Sequence, residues 1–105
     1  MFRIKQNDTS PAIKALLKDG RKRPINLNGA SIRFHMKDEN ENVVVDDEAE
    51  VLDEEKGEVV YYWKENDTNL VGTCLAEFQV TYNDGKIETF PNTNYIRIGI
   101  IAEIA

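Results

Sequence analysis

His35, Cys74 and a run of carboxylates between Asp38 and Glu58 are the side chains best suited to chemistry in this sequence. A nucleophile works only with a base in hydrogen-bond reach. His35 is the sole histidine and falls on the polar positions of Ser31–Lys37, whereas Cys74 falls on the apolar positions of its own alternating stretch. The two are therefore expected on opposite faces, His35 in water and Cys74 in the core as a small apolar group. One cysteine and one histidine are too few for a zinc site. Asp46, Asp47, Glu48 and Glu50 offer hard oxygens for calcium. In a strand, however, Asp47 points away from Asp46 and Glu48, and no Asp-x-Asp-x-Asp-Gly loop is present. This acidic run reads instead as an exposed edge whose charges discourage strand-to-strand aggregation. Glycoside hydrolysis needs two carboxylates opposed across a cleft, and so small a domain has little concavity to spare. The glycines stand singly at turns, so no phosphate-binding loop is expected. The expectation is no enzyme, no catalytic residue, no metal ligand and no cofactor.

Charge narrows the partners. Lys and Arg total 13 against 19 Asp and Glu, a formal net charge of −6, which does not suit neutralisation of nucleic-acid phosphates. The one tight basic cluster, Arg21-Lys22-Arg23, lies between Gly20 and Pro24 and reads as a solvated turn. No apolar stretch approaches the roughly 18 residues of a membrane span, and the charged Phe2–Gln6 segment does not read as a signal peptide. A lone cysteine cannot form an internal disulfide. Asn7-Asp8-Thr9 and Asn66-Asp67-Thr68 match the glycosylation sequon, but both are read as turns. With 105 residues, 41% of them hydrophobic, the chain is expected to form a single folded domain over residues 1–105.

The elements that must carry these residues are strands. Ile32, Phe34 and Met36 alternate with Arg33, His35 and Lys37, and Cys74, Ala76, Phe78, Val80 and Tyr82 alternate with Thr73, Glu77, Gln79 and Thr81. Period two marks a strand with one face on a core and one in water. Turn signals at Asp19-Gly20, Asn28-Gly29, Asp38–Asn42, Lys56-Gly57 and Asn83–Lys86 separate such segments at the spacing of a β-sandwich. The Asp84-Gly85 pair suits a tight hairpin between Thr73–Tyr82 and Ile87–Phe90. Pro11–Lys18 could present Ala12, Ala15 and Leu16 on one helical face. Ile13, Ala15 and Leu17 also alternate, and a strand is expected there. The count is about seven to eight strands with no helix, an all-β sandwich.

Aromatic and branched residues point to a contact surface. Val59, Tyr61 and Trp63 are assigned to the core, which leaves Val60 and Tyr62 on the outer face, joined by Leu75 or Leu16. An exposed apolar patch of this kind marks interaction surfaces. Tyr95, Ile96, Ile98, Ile100 and Ile101 make the final strand, Asn94–Ile101, apolar on both faces, as for a strand buried on both sides. Val60, Tyr62, Leu75, Tyr95 and Ile101 are accordingly the candidate interface residues.

The order of short motifs is also informative. Phe2-x-Ile4-Lys5-Gln6-Asn7-Asp8-Thr9-Ser10-Pro11 is followed by Leu27–Met36, then Gly57–Trp63, Asp67-Thr68, Gly72-Thr73, Ala76-Glu77-Phe78, Asp84-Gly85 and Thr89-Phe90-Pro91. This set, running from Phe2 to about Ile100, resembles the N-terminal domain of the baseplate upper protein family of tailed phages and prophages of Gram-positive bacteria. The resemblance implies an immunoglobulin-like antiparallel β-sandwich without enzymatic activity. It implies a virion component of tail or baseplate that contacts other tail and baseplate proteins and is present in several copies, a homo-oligomer in the particle made in the host cytoplasm. Larger members continue into a linker and a distal domain, whereas this sequence stops at Ala105. The rival from another class is a carbohydrate- or calcium-dependent binding module, motivated by Trp63, the tyrosines and the acidic run.

Overall fold

Eight strands and no helix make up the chain in a computed structural model that describes residues 1–105. They are β1 (Phe2–Lys5), β2 (Ile13–Leu16), β3 (Ser31–Lys37), β4 (Val43–Asp53), β5 (Glu58–Tyr61), β6 (Gly72–Thr81), β7 (Ile87–Phe90) and β8 (Ile96–Ile101). Hydrogen bonding runs in the order β1-β8-β6-β3-β4-β5-β2, with β7 also paired to β6. The all-β sandwich expected from period two is thus present, and Pro11–Lys18 holds a strand where a helix was the alternative.

One element joins the two layers. Val43–Val45 and Ala49–Leu52, separate in the sequence pattern, lie on the single eleven-residue strand β4. Its first part pairs with β3 as far as Ala49 opposite Ile32. From Glu50 it pairs with β5, with Glu50 opposite Val60. The first sheet therefore contains β1, β8, β6, β7, β3 and the start of β4; the second contains the end of β4, β5 and β2. This continuity gives the sandwich the character of an open barrel. All pairings are antiparallel except β1 with β8, which is parallel, so the sheet is mixed. Asp46, Asp47 and Glu48 pair with β3 alone and Glu50 with β5 alone, so each part of the acidic run has one paired side and lies at the edge of its sheet.

The inner faces meet in a cluster of 18 buried side chains. Its centre is aromatic. Phe34 of β3 stacks on Tyr61 of β5 at 4.5 Å between ring centroids, meets Trp63 edge-on at 5.6 Å, and tilts against Phe78 of β6 at 5.1 Å. Such tilted and edge-on contacts suit ring quadrupoles and add to the area they bury. Cys74 lies among these core residues, as its period indicates, and desolvation, reinforced by Asp38 and Glu39, pushes its thiol up to about 11. The thiolate form is thereby disfavoured at neutral pH.

Polar groups at the end of this core are all partnered. Trp63 Nε1 donates to the Pro11 carbonyl, and the Thr68 hydroxyl donates to the Asp8 carbonyl at 2.7 Å. Asn66-Asp67-Thr68 forms a turn, as expected, in which Asp67 accepts from the Tyr61 hydroxyl and from the Lys64 N–H. Burial, then the hydrogen bond and charge of Asp67, raise the Tyr61 pKa above its ordinary 10.0. Unfolded tyrosine ionises first, so this contribution to stability is whole below pH 10.0 and is lost as pH rises above it. Denaturant titrations should show a stability plateau that declines on the alkaline side. Tyr61→Phe should lower the plateau by about 1.5–3 kcal/mol, the worth of a hydrogen bond to a charged group, and make the decline shallower. An unchanged plateau in the variant would refute this account.

Candidate functional site

The outward faces of β4, β3, β6 and β8 form one continuous surface, and strand register decides which side chains share it. Asp46, His35 and Glu77 stand in one row across β4, β3 and β6. His35 Nδ1 lies 3.0 Å from Glu77 Oε2, and its Nε2 lies 3.4 Å from Asp46 Oδ1. Arg33, two residues along β3, donates from Nε to the same Asp46 oxygen at 3.0 Å and from its guanidinium to the Asp46 carbonyl. His35 therefore lies between two carboxylates and is half-buried, not simply solvated as its lone position suggested.

The next row pairs Lys37 with Leu75, and Leu75 with Arg97. Lys37 donates to Glu41 at 2.6 Å, and its ammonium sits 5.0 Å from the centre of the Tyr95 ring. The Glu41 hydrogen bond raises the Lys37 pKa above its ordinary value, so the group is cationic throughout the physiological range. Tyr95, Leu75, Val43 and Met36 supply the apolar part, and His35, Lys37, Asp46 and Glu77 the polar part, of a shallow cavity of about 370 Å³. A second hollow, of about 270 Å³, shares Tyr95 and Glu77 and extends past Asn92, Thr93 and Asn94. Tyr95 is the wall between them and is 47% exposed.

The structure thus brings two of the five candidate interface residues together, Leu75 and Tyr95. Tyr62, 49% exposed, lies on the outer face of the second sheet beside Glu48, Glu50 and Lys64. Val60 follows it there in direction but not in exposure: it is fully buried and cannot present itself to a partner. Its cross-strand neighbours are Lys14 on β2 and Glu50 on β4, whose long side chains can cover a small branched one. Ile101 stands apart at the end of β8, opposite Lys5, and is exposed. The final strand is not buried on both sides. Ile98 and Ile100 face the core, while the alternate positions are Arg97, Gly99 and Ile101, and the strand itself begins at Ile96.

Two carboxylates of the acidic run meet cations. Asp46 is held by Arg33, with the His35 ring beside it, and Asp47 by Lys64 at 2.5 Å. The Lys64 hydrogen bond, with help from the Glu48 N–H, keeps the Asp47 carboxyl below the usual range. Sequence reading placed His35 and Glu77 on outward faces but could not foresee their pairing. Forty-two residues separate them, and only the β3–β6 register puts one opposite the other.

The family model described as the BppU N-terminal domain matches residues 2–95. Among solved structures, the chain is similar to the N-terminal domain of phage TP901-1 ORF48, with a TM-score of 0.71 and 20% identity over 98% of this chain and 84% of that one. It is also similar to CopC from Methylosinus trichosporium OB3b, with a TM-score of 0.56 and 17% identity over 99% of this chain and 86% of that one. At these identities the two likenesses speak to the fold alone. No curated protein matches the chain.

Proposed function

The chain belongs to the BppU N-terminal domain family, the phage baseplate domain anticipated from its motif order, and from that membership we propose that it is a non-catalytic structural protein of a phage virion. It works in the tail or baseplate by contacts with other tail and baseplate proteins, in several copies per particle. The match over residues 2–95 carries this reading. An immunoglobulin-like arrangement of the sandwich belongs to the same proposal.

The surface around Leu75 and Tyr95 supports it in physical terms. An aromatic ring with one polar tip, an apolar floor and a rim of paired charges is the composition of a protein–protein contact, where a central anchor carries most of the energy. Repetition around a particle multiplies the effect of each modest contact. Intact purified particles should contain the protein by mass spectrometry. Its absence from particles, together with clear presence in infected cells, would refute the reading. Leu75→Glu combined with Tyr95→Ser should leave the β-rich circular dichroism spectrum unchanged and lower incorporation roughly 30-fold, the effect of losing an anchor worth about 2 kcal/mol. Normal incorporation of that variant would exclude this face as the contact.

A further inference from the structure

The sandwich is not closed. At one side β2 is the last strand of the second sheet, paired only with β5. Facing it across the opening is the break between β7 and β8. Ala15, Leu16, Leu17 and Lys18 on one side, with Phe90, Pro91 and Ile96 on the other, line a groove of about 290 Å³ that is mostly apolar. Leu16 at its mouth is 53% exposed.

Hydrogen-bond alternation fixes what the edge of β2 offers. The Leu17 N–H donates to the Gly57 carbonyl, continuing the register of Ala15 with Val59 and Ile13 with Tyr61. In an antiparallel pair every second residue bonds to the partner, so the N–H and C=O groups of Lys14 and Leu16 point away from β5, into the opening. This edge is also the main cationic part of an otherwise acidic chain. Lys14, Lys18, Arg21 and Lys22 form no ion pair, and of the neighbouring bases only Arg23 is matched, by Asp19. Glu58, opposite Leu16, sits on the protected side of β2.

We propose that the free edge of β2 and the adjoining groove bind an extended acidic segment of a partner protein by strand addition. The segment pairs with the backbone of Lys14 and Leu16, sets alternate apolar side chains against Leu17, Phe90, Pro91 and Ile96, and turns its carboxylates toward Lys14 and Lys18. Main-chain bonds supply affinity in this mode and side-chain pockets supply selectivity. Charge decides the occupant. A second copy offering its own β2 would bring Lys14 and Lys18 against like charges, the arrangement by which edge lysines prevent self-pairing. An acidic strand meets no such barrier. This surface shares no residue with the Leu75–Tyr95 cavity and only Pro91 with the hollow beside it, so the β2 edge and the Leu75–Tyr95 contact can be tested by separate variants.

The test uses the full chain, isotope-labelled, and a synthetic peptide that alternates glutamate with valine and isoleucine. Its control has lysine in place of glutamate. The acidic peptide should shift the amide signals of Leu16, Leu17, Lys18, Phe90 and Ile96 and protect the Lys14 and Leu16 amides from hydrogen exchange, and the basic control should not. Lys14→Glu with Lys18→Glu should weaken the acidic peptide at least tenfold while the spectrum of the free protein stays folded. Leu16→Pro, which removes an N–H that β5 does not use, should weaken it similarly. Shifts confined to other strands, equal binding of the basic peptide, or a dimeric mass by light scattering that disappears in the Leu16→Pro variant would each overturn the proposal.

Discussion

Phe34→Ala is expected to destabilise the protein by about 3–5 kcal/mol, the cost of deleting a fully buried aromatic side chain from a packed core. A chain this short has a total stability of about 5–15 kcal/mol, so the variant should sit close to unfolding. The expected fall in Tm is roughly 12–25 °C, since one kcal/mol moves a domain of about 100 residues by about 4–5 °C. The size of the effect follows from position. Phe34 contacts rings from both sheets, Tyr61 and Trp63 on one side and Phe78 on the other. Its loss opens a cavity between layers and not merely within one. Thermal melts followed by circular dichroism read this directly. A fall of only a few degrees would show that the two layers do not depend on the aromatic centre.

Gly57→Ala should be nearly as damaging although it adds only a methyl group. Gly57 has φ +66°, where an L side chain costs about 1–2 kcal/mol. A Cβ there would also lie 2.6 Å from the Leu17 carbonyl oxygen and 2.9 Å from that of Ile25. Both are backbone atoms, so relief requires moving the β2 segment that the Leu17-to-Gly57 and Ile25-to-Leu17 hydrogen bonds hold in place. The combined cost is expected to be about 3 kcal/mol or more. Gly85→Ala separates the two causes. Gly85 has φ +88° with open space around its Cα, so only the conformational cost, about 1–2 kcal/mol, should appear. Equal losses at the two positions would show that crowding at Gly57 has no energetic weight.

The Leu75–Tyr95 surface and the β2 edge differ in how far the sequence announces them. Leu75 is the one apolar residue among the outward positions of its strand, a visible departure from period two. The structure places it on the outward face, where it is half-buried. Val60 looked equivalent, an apolar residue on an outward position, yet it is buried. The difference lies in the neighbouring strands: Val60 stands between Lys14 and Glu50, whose long side chains are able to cover it. Nothing within Glu58–Tyr61 carries that information. The acidic run shows the same divide. Its residue types are evident, but its paired state depends on Arg33, His35 and Lys64, which arrive from β3 and from the segment after β5.

From the amino-acid order alone came every strand but β1, with β4 read as two pieces, the core-facing positions of β3 and β6, the turns at Asn28-Gly29, Lys56-Gly57 and Asp84-Gly85, the aromatic core and, through the motif order, the family. These are local properties, because side-chain alternation and turn chemistry act over a few residues. Tertiary structure alone decided that β4 serves both sheets, that β1 runs parallel to β8, that β2 is left with a free edge, and that His35 faces Glu77. Each of these is a choice of partner and register between distant segments. Alternation repeats every two residues and looks the same in every register of that parity, so the choice falls to how the whole set of faces can be packed at once.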